Sequence, residues 1–195
     1  RMKLVSLGSG SSGNCSCIGC GAGHLLVDAG LSKRRVEERM AEIGLAPADL
    51  SGILITHEHI DHIRALGALC RSYQLPVFAT EATWEQIAHT GKNPPAPEFF
   101  HKIEPDHDYQ IGGLSVHPFH IDHDAADPVA YRISAGGSCA AVATDIGVYH
   151  DYTVDNLRGL NALLLESNHD VRMLESGPYP YRLKQRILGN GGHLS

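Results

Sequence analysis

Long apolar runs are missing from this chain of 195 residues. No stretch approaches the ~18 apolar residues that a membrane-spanning helix needs. The first dozen residues lack the charged-then-apolar layout of a secretion signal, so the expected location is the cytoplasm. Aromatic residues are scarce, at 6%, which leaves a core to be built from aliphatic side chains. A basic excess is missing too: 16 Lys and Arg stand against 22 Asp and Glu, for a net charge of −6. No overall field draws such a molecule onto nucleic acid, and any contact with phosphate must come from a local patch. An even cysteine framework is also missing. There are five cysteines, with Cys15, Cys17 and Cys20 crowded together, which reads poorly as a set of disulfides. Those three either hold a metal or are small buried residues on a hairpin. A structural zinc site wants four ligands and no second C-x-x-C pair follows, which favours the hairpin.

What the chain does have is ordinary globular composition, 43% hydrophobic and 19% charged, which excludes disorder. It contains no internal repeat and no low-complexity run. Strands and helices interleave along it. The spacing predicts a strand over 3–7, a Gly-Ser-Gly-Ser-Ser-Gly-Asn loop over 8–14, and a hairpin of 15–18 and 25–28. Ser32 then caps a helix whose apolar positions Val36, Met40 and Ile43 fall on one face; Gly44 and Pro47 end it. An apolar strand over 53–56 runs straight into His57. Helices over 63–73 and 80–89 flank a strand at 76–79, and residues 91–97 form a Pro-rich loop. Strands follow near 114–119, 129–134, 138–143 and 162–166, and a helix over 181–188. Interleaving of this kind favours a layered α/β sandwich over a barrel or bundle.

Histidine is the outlier, with 13 residues in no run. Three imidazoles and a carboxylate lie within six residues in His57-Glu-His-Ile-Asp-His62, at the end of a buried strand. Zinc and similar metals take neutral imidazole and carboxylate ligands. On an extended segment His57 and His59 point the same way and can chelate one ion. Asp61 and His62 sit at the start of the next helix and can face a second ion.

The pattern H-x-H-x-D-H resembles that of the metallo-β-lactamase-fold superfamily, and the likeness runs the length of the chain. Asp28 in Leu-Val-Asp-Ala-Gly matches a structural Asp ahead of the motif, His123 in Ile-Asp-His-Asp matches a third histidine, and Asp145 in Ala-Thr-Asp-Ile-Gly matches a carboxylate that bridges two metals. Residues 8–14, the 56–62 motif, His-Asp-Ala-Ala-Asp-Pro128, Glu-Ser-Asn-His-Asp170 and Gly-His-Leu-Ser195 together resemble the YycJ/WalJ-like exonuclease branch, with features similar to the tRNase Z enzymes.

The resemblance implies an α/β fold, a four-layer αββα sandwich over residues 1–195 as one domain. The branch carries a further His-Leu-Ser motif after a C-terminal helix and strand, so the expectation is a chain truncated at its C-terminus that lacks that last strand and helix. The implied ligand set is His57, His59 and His123 for one divalent ion, Asp61 and His62 for a second, and Asp145 between them; zinc fits best, with manganese or iron as alternatives. The implied activity is a two-metal phosphodiesterase, an exonuclease on nucleic acid with DNA favoured, working through a metal-activated water. His193 either is the last metal ligand or, oriented by Glu166, protonates the leaving group as in tRNase Z relatives; with Asp61 these make the catalytic set. A small-molecule hydrolase of β-lactams, lactones or thioesters is the alternative, and a non-enzymatic scaffold a weaker one.

Other signals are less specific. The 8–14 loop, with Ser11 and Asn14, either offers backbone N–H groups to a phosphate or is a plain flexible turn. His169 either touches substrate or fixes a loop. Lys33, Arg34, Arg35 and Arg39, and Arg182, Lys184 and Arg186, are either solvated helix faces or phosphate contacts.

Overall fold

The computed structural model describes residues 2–144, 146, 149–167, 171–176, 183–187 and 193–194, with backbone alone for 90, 171, 175–176, 183–187 and 193–194. Two sheets face each other. The first has six strands in chain order, β1 (Lys3–Gly8), β2 (Cys15–Cys20), β3 (Gly23–Val27), β4 (Leu50–Leu54), β5 (Val77–Ala79) and β6 (Phe100–Lys102). Strands β1 to β3 pair antiparallel, and β3 to β6 parallel. The second sheet has eight, from β7 (Tyr109–Ile111) through β8 (Leu114–His120), β9 (Val129–Ala135), β10 (Ser138–Thr144), β11 (Ala162–Glu166), β12 (Val171–Ser176) and β13 (Leu183–Ile187) to β14 (His193–Leu194). Its β10–β11 pair is parallel.

Alternation along the strands sorts their side chains into layers. Leu26 and Ile53 point away from the second sheet and pack with Val36 and Met40 of α1 (Lys33–Glu42), Leu66 and Leu69 of α3 (Leu66–Tyr73), and Ile87 of α4 (Glu81–Thr90). Their neighbours Leu25, Val27 and Leu54 point inward and meet Val116, Tyr131, Val142 and Leu164 of the second sheet. On that sheet's outer face Phe119, Ala141 and Leu165 pack under Leu157 and Leu160, just after α5 (Asp151–Asn156). Both faces of the central strands are therefore covered, which is why they read as unbroken aliphatic runs. The order helix, sheet, sheet, helix is the expected αββα sandwich.

Several local expectations hold, and others are corrected. The Ser32 hydroxyl accepts from Arg35 N at 3.2 Å and caps α1, and Gly44 follows its end at φ +76°, a left-handed conformation that glycine adopts freely. The single helix expected over 63–73 is two pieces, α2 (Ile60–Ile63) and α3. The break has a cause: Ala65 N donates to Ala29 O (2.8 Å), outside the helix, and Arg64 Nη1 takes Gly30 O (2.7 Å). Where a helix is expected over 181–188, the described residues 183–187 are instead strand β13, hydrogen-bonded to β12 and β14. Strands β6, β7 and β12 and helix α5 lie where none was expected. Cys15 and Cys17 are buried, free thiols on the β2 hairpin strand. Burial pushes Cys17 up to about 12 and Cys15 well above the usual thiol range, so both are neutral packing groups.

The parallel strands point their C-terminal ends at one edge of the sandwich. Asp28 follows β3, His57 lies just past β4, Thr80 follows β5, Thr144 ends β10 and Glu166 ends β11. Ligand sites of open α/β sheets gather at such an edge.

Candidate metal centre

Ile55 N continues the ladder to Phe78 O at 3.0 Å before the chain leaves the sheet at Thr56. The next residues deliver the histidines. His57, His59 and His123 each place a ring nitrogen within 4.8 Å of the others. Their ring centroids are 4.5 Å apart for His57–His59, 4.5 Å for His57–His123 and 5.3 Å for His59–His123. His57 is buried, His123 half-buried and His59 exposed, so the group opens to solvent on one side. Burial, with the neighbouring His62, His123 and His59, lowers the His57 imidazole to about 2; burial and His59 lower His123 as well. Both rings are therefore neutral at ordinary pH, the form that binds a cation.

The tautomers follow from one carboxylate. Asp28, at φ +62° and 0% exposed, accepts from Thr56 N (2.8 Å), Thr56 Oγ1 (2.7 Å) and His62 Nδ1 (2.6 Å). Thr56 has one hydroxyl proton and gives it to Asp28. Its oxygen is left to accept from His57 Nδ1 at 2.9 Å. Both rings thus carry a proton on Nδ1, held toward the protein, and turn Nε2 toward the cavity. Burial pulls His62 down, but the charge and hydrogen bond of Asp28, then Glu166 and Asp61, outweigh it and raise the ring to about 9. Asn14 Nδ2, 3.1 Å from His62 Nε2, works against that protonation.

His57, His59, Asp61, His62, His123, Asn14, Thr144, Glu166 and Ser167 line one small cavity of about 60 Å³. Three buried side-chain atoms among the described residues have no hydrogen-bond partner, and all three border it: Thr144 Oγ1 and both carboxylate oxygens of Glu166. Burial pushes Glu166 up, with the Asp28 charge adding and His62 opposing, to about 8. A buried carboxyl with no hydrogen-bond partner, 3.6 Å from His62 Nδ1 and in a space this size, fits a bound cation. The donor set of neutral imidazoles and carboxylates fits a divalent transition ion.

The structure brings six of the sequence-singled residues together here: Asn14, His57, His59, Asp61, His62 and His123, with Glu166 behind them. Asn14 is 2% exposed, and its Nδ2 donates to Asp61 Oδ2 at 3.2 Å. The amides of Gly10, Gly13 and Asn14 are taken by Asn14 Oδ1, Gly10 O and Asp61 O. Ser11 is exposed on the turn above. Asp145 and His169 lie outside the described residues, as does the His193 side chain. The β11 to β14 register sets the His193 backbone level with Leu165 and three strand spacings away, roughly 14 Å from it. The arginines of α1 pair within the helix, Arg34 and Arg35 with Glu38 and Arg39 with Glu42, as a solvated face does, and Lys33 lies over the Tyr73 ring at 5.9 Å.

Three residues that bear on the site escaped the sequence reading. Glu58 accepts from Ala126 N, and Thr80 and Thr83 reach Asp127 O. Their one signal was position: Glu58 alternates with two histidines, and Thr80 and Thr83 open a helix at the end of a parallel strand.

Comparison with known proteins agrees with this geometry. A family model described as "Beta-lactamase superfamily domain" matches residues 24–188. "Exodeoxyribonuclease YycJ" of Bacillus anthracis is 43% identical over 189 residues, 96% of this chain and 71% of that protein. "Exodeoxyribonuclease WalJ" of Streptococcus pneumoniae is 40% identical over 196 residues, 99% of this chain and 72% of that protein. Among solved structures, the metallo-β-lactamase fold protein YhfI from Bacillus subtilis superposes with a TM-score of 0.66 at 20% identity, covering 84% of this chain and 70% of that one.

Proposed function

The chain belongs to the β-lactamase superfamily, and from that premise we propose that it is a metal-dependent nuclease that hydrolyses phosphodiester bonds, acting as an exonuclease on DNA. The observation that carries the reading is the convergence of three imidazoles, Asp61, His62 and a buried Glu166 carboxyl without a hydrogen-bond partner on one cavity at the strand ends. The names of the relatives at 43% and 40% identity supply the substrate class.

His57, His59 and His123 would hold one ion and Asp61 and His62 a second, with Asp145 between them. Imidazole-rich donors favour zinc, with manganese or iron compatible. When bound, the ions supply charge that lowers the pKa of water and neutralises phosphate oxygens. The chain's own part is positioning. Thr56 and Asp28 hold the His57 and His62 rings in the ligand tautomer, Asn14 holds the Asp61 carboxylate, and exposed His59 leaves the mouth open. Ile60, 58% exposed beside that mouth, adds an apolar rim against which a nucleotide can lie.

The test is digestion of end-labelled single- and double-stranded DNA, matched RNA and nitrocefin by protein loaded with zinc or manganese. Stepwise loss of nucleotides from DNA, abolished in His57→Ala/His59→Ala protein, is the expected outcome. Turnover of nitrocefin with no cleavage of either nucleic acid would replace the nuclease reading by a small-molecule hydrolase.

A further inference from the structure

The three histidines come from different halves of the sandwich. His57 and His59 lie on the loop after β4 in the first sheet, and His123 lies on the loop 121–128 between β8 and β9 in the second. The sheets meet through a buried apolar cluster that includes Leu54, Val116 and Tyr131. Such contacts are strong but not directional. A metal centre needs its ligands placed to a few tenths of an ångström. Some directional element must therefore register the two loops.

The described residues supply it. Along the extended segment His57 and His59 face the cavity, and alternation sends Glu58 the other way. Its carboxylate accepts from the backbone N–H of Ala126, at 3.0 Å from one oxygen and 3.3 Å from the other. One residue on, the Asp127 carbonyl accepts from Thr80 Oγ1 at 3.1 Å and Thr83 Oγ1 at 3.4 Å, and these two buried hydroxyls lie 3.0 Å apart. The base of the loop is fixed by Val129 N to Thr56 O, 3.0 Å, and by Tyr131 Oη to Ile55 O, 2.6 Å. Inside the loop, Ala125 N closes on His123 O at 3.0 Å. Every tie from the first-sheet side reaches a residue between three and eight positions after His123.

We propose that Glu58, with the Thr80–Thr83 hydroxyl pair, is a positioning clamp that sets His123 against His57 and His59 across the two sheets. The clamp rests on reading the three histidines as a metal site and says which residues tune it. Glu58 is a positioning residue: it acts through the 121–128 loop, not on the ion or the substrate.

Its test is zinc affinity, measured on metal-stripped full-length protein by competition with a chromophoric chelator. Loss of an outer hydrogen bond to a ligand-bearing group costs about 10–100-fold in metal affinity. Glu58→Ala should weaken the tightest zinc site by that factor. Glu58→Gln keeps an oxygen that can accept from Ala126 N and should restore most of it. Thr83→Val, an isosteric change, should weaken the site in the same sense and serves as an independent variant should Glu58→Ala fold poorly. In a His123→Ala background Glu58→Ala should have no further effect, because the ligand it positions is gone. Wild-type zinc affinity in both Glu58→Ala and Thr83→Val overturns the clamp while leaving the metal site standing. Equal weakening by Glu58→Ala and Glu58→Gln also overturns it, by making the effect one of charge. No zinc binding by the wild-type protein would overturn the metal reading itself.

Discussion

Asp28 is one carboxylate with three hydrogen bonds and no exposure, and two histidines take their orientation from it. Its charge has a thermodynamic consequence in the metal-free protein. His62 is raised from 6.5 to about 9, so the folded chain keeps a proton that the unfolded chain gives up over that interval. Stability from this group is complete below pH 6.5 and is lost as pH rises through about 9. Glu166, raised to about 8, acts in the same direction above its unfolded value of 4.5. His57 has the opposite sign: lowered to about 2, it destabilises the fold as pH falls below 6.5, and its contribution is constant above that. Above pH 6.5 the first two groups are therefore unopposed by His57. Denaturation of chelator-treated protein should show stability falling between pH 6.5 and 9, and the slope should be shallower in Asp28→Asn, whose amide carries no charge to hold His62 protonated. A slope in Asp28→Asn as steep as in wild type would remove Asp28 as its cause.

At the scale of elements, the centre is built where loops from strand ends lie on one another, and glycine makes the closest approach possible. Gly30, two residues past Asp28, sits beneath Asp61: a Cβ there would lie 1.6 Å from Asp61 O and 2.7 Å from Asn14 N. Those two atoms bond each other at 2.7 Å, and Gly30 N donates to Asn14 O at 2.8 Å. Gly30→Ala must push the 8–14 loop away from Asp61, so the expected loss of stability is ~3 kcal/mol, the upper part of the usual range for overpacking. Urea denaturation of the metal-free protein measures it; wild-type stability would mean that the loops are not in contact. Much of this was legible in sequence. A run of aliphatic residues ending in His-x-His-x-Asp-His marks a strand feeding a site, and the unbroken aliphatic runs over 25–27 and 53–55 mark strands buried on both faces. What was not legible has local causes. Leu183 and Ile187 are four apart, a spacing that helix and strand both satisfy, so only pairing with β12 decides for strand. Strands β6 and β7 are three residues each, too short to show a period. The break between α2 and α3 depends on carbonyls of Ala29 and Gly30, more than 30 positions away.

For the whole molecule, the arrangement makes an ion a link between two sheets. His57 and His59 hang from the first, His123 from the second, and the side chains of Glu58, Thr80, Thr83 and Tyr131 tie the two sides together across the gap. This organisation left only weak marks in the sequence: the two histidines of the first sheet are adjacent in the motif, but their tie to a loop more than 60 positions later is a tertiary fact. It sets what removing metal should do. A ligand that binds only the folded chain stabilises it by ~2.7 kcal/mol when present at 100 times its dissociation constant. For a domain of this size each kcal/mol moves the melting temperature by about 2–4 °C. Zinc in that excess should therefore raise Tm by roughly 5–11 °C over protein held in EDTA. His123→Ala removes the ligand on the second sheet and leaves the first-sheet pair intact. If the ion spans the sheets, zinc should raise the Tm of that variant by far less than it raises wild type. The comparison is made by scanning fluorimetry of both proteins with zinc and with EDTA. A zinc shift in His123→Ala equal to the wild-type shift would show the ion held from one sheet alone, and with it the sandwich joined at this edge by protein contacts only.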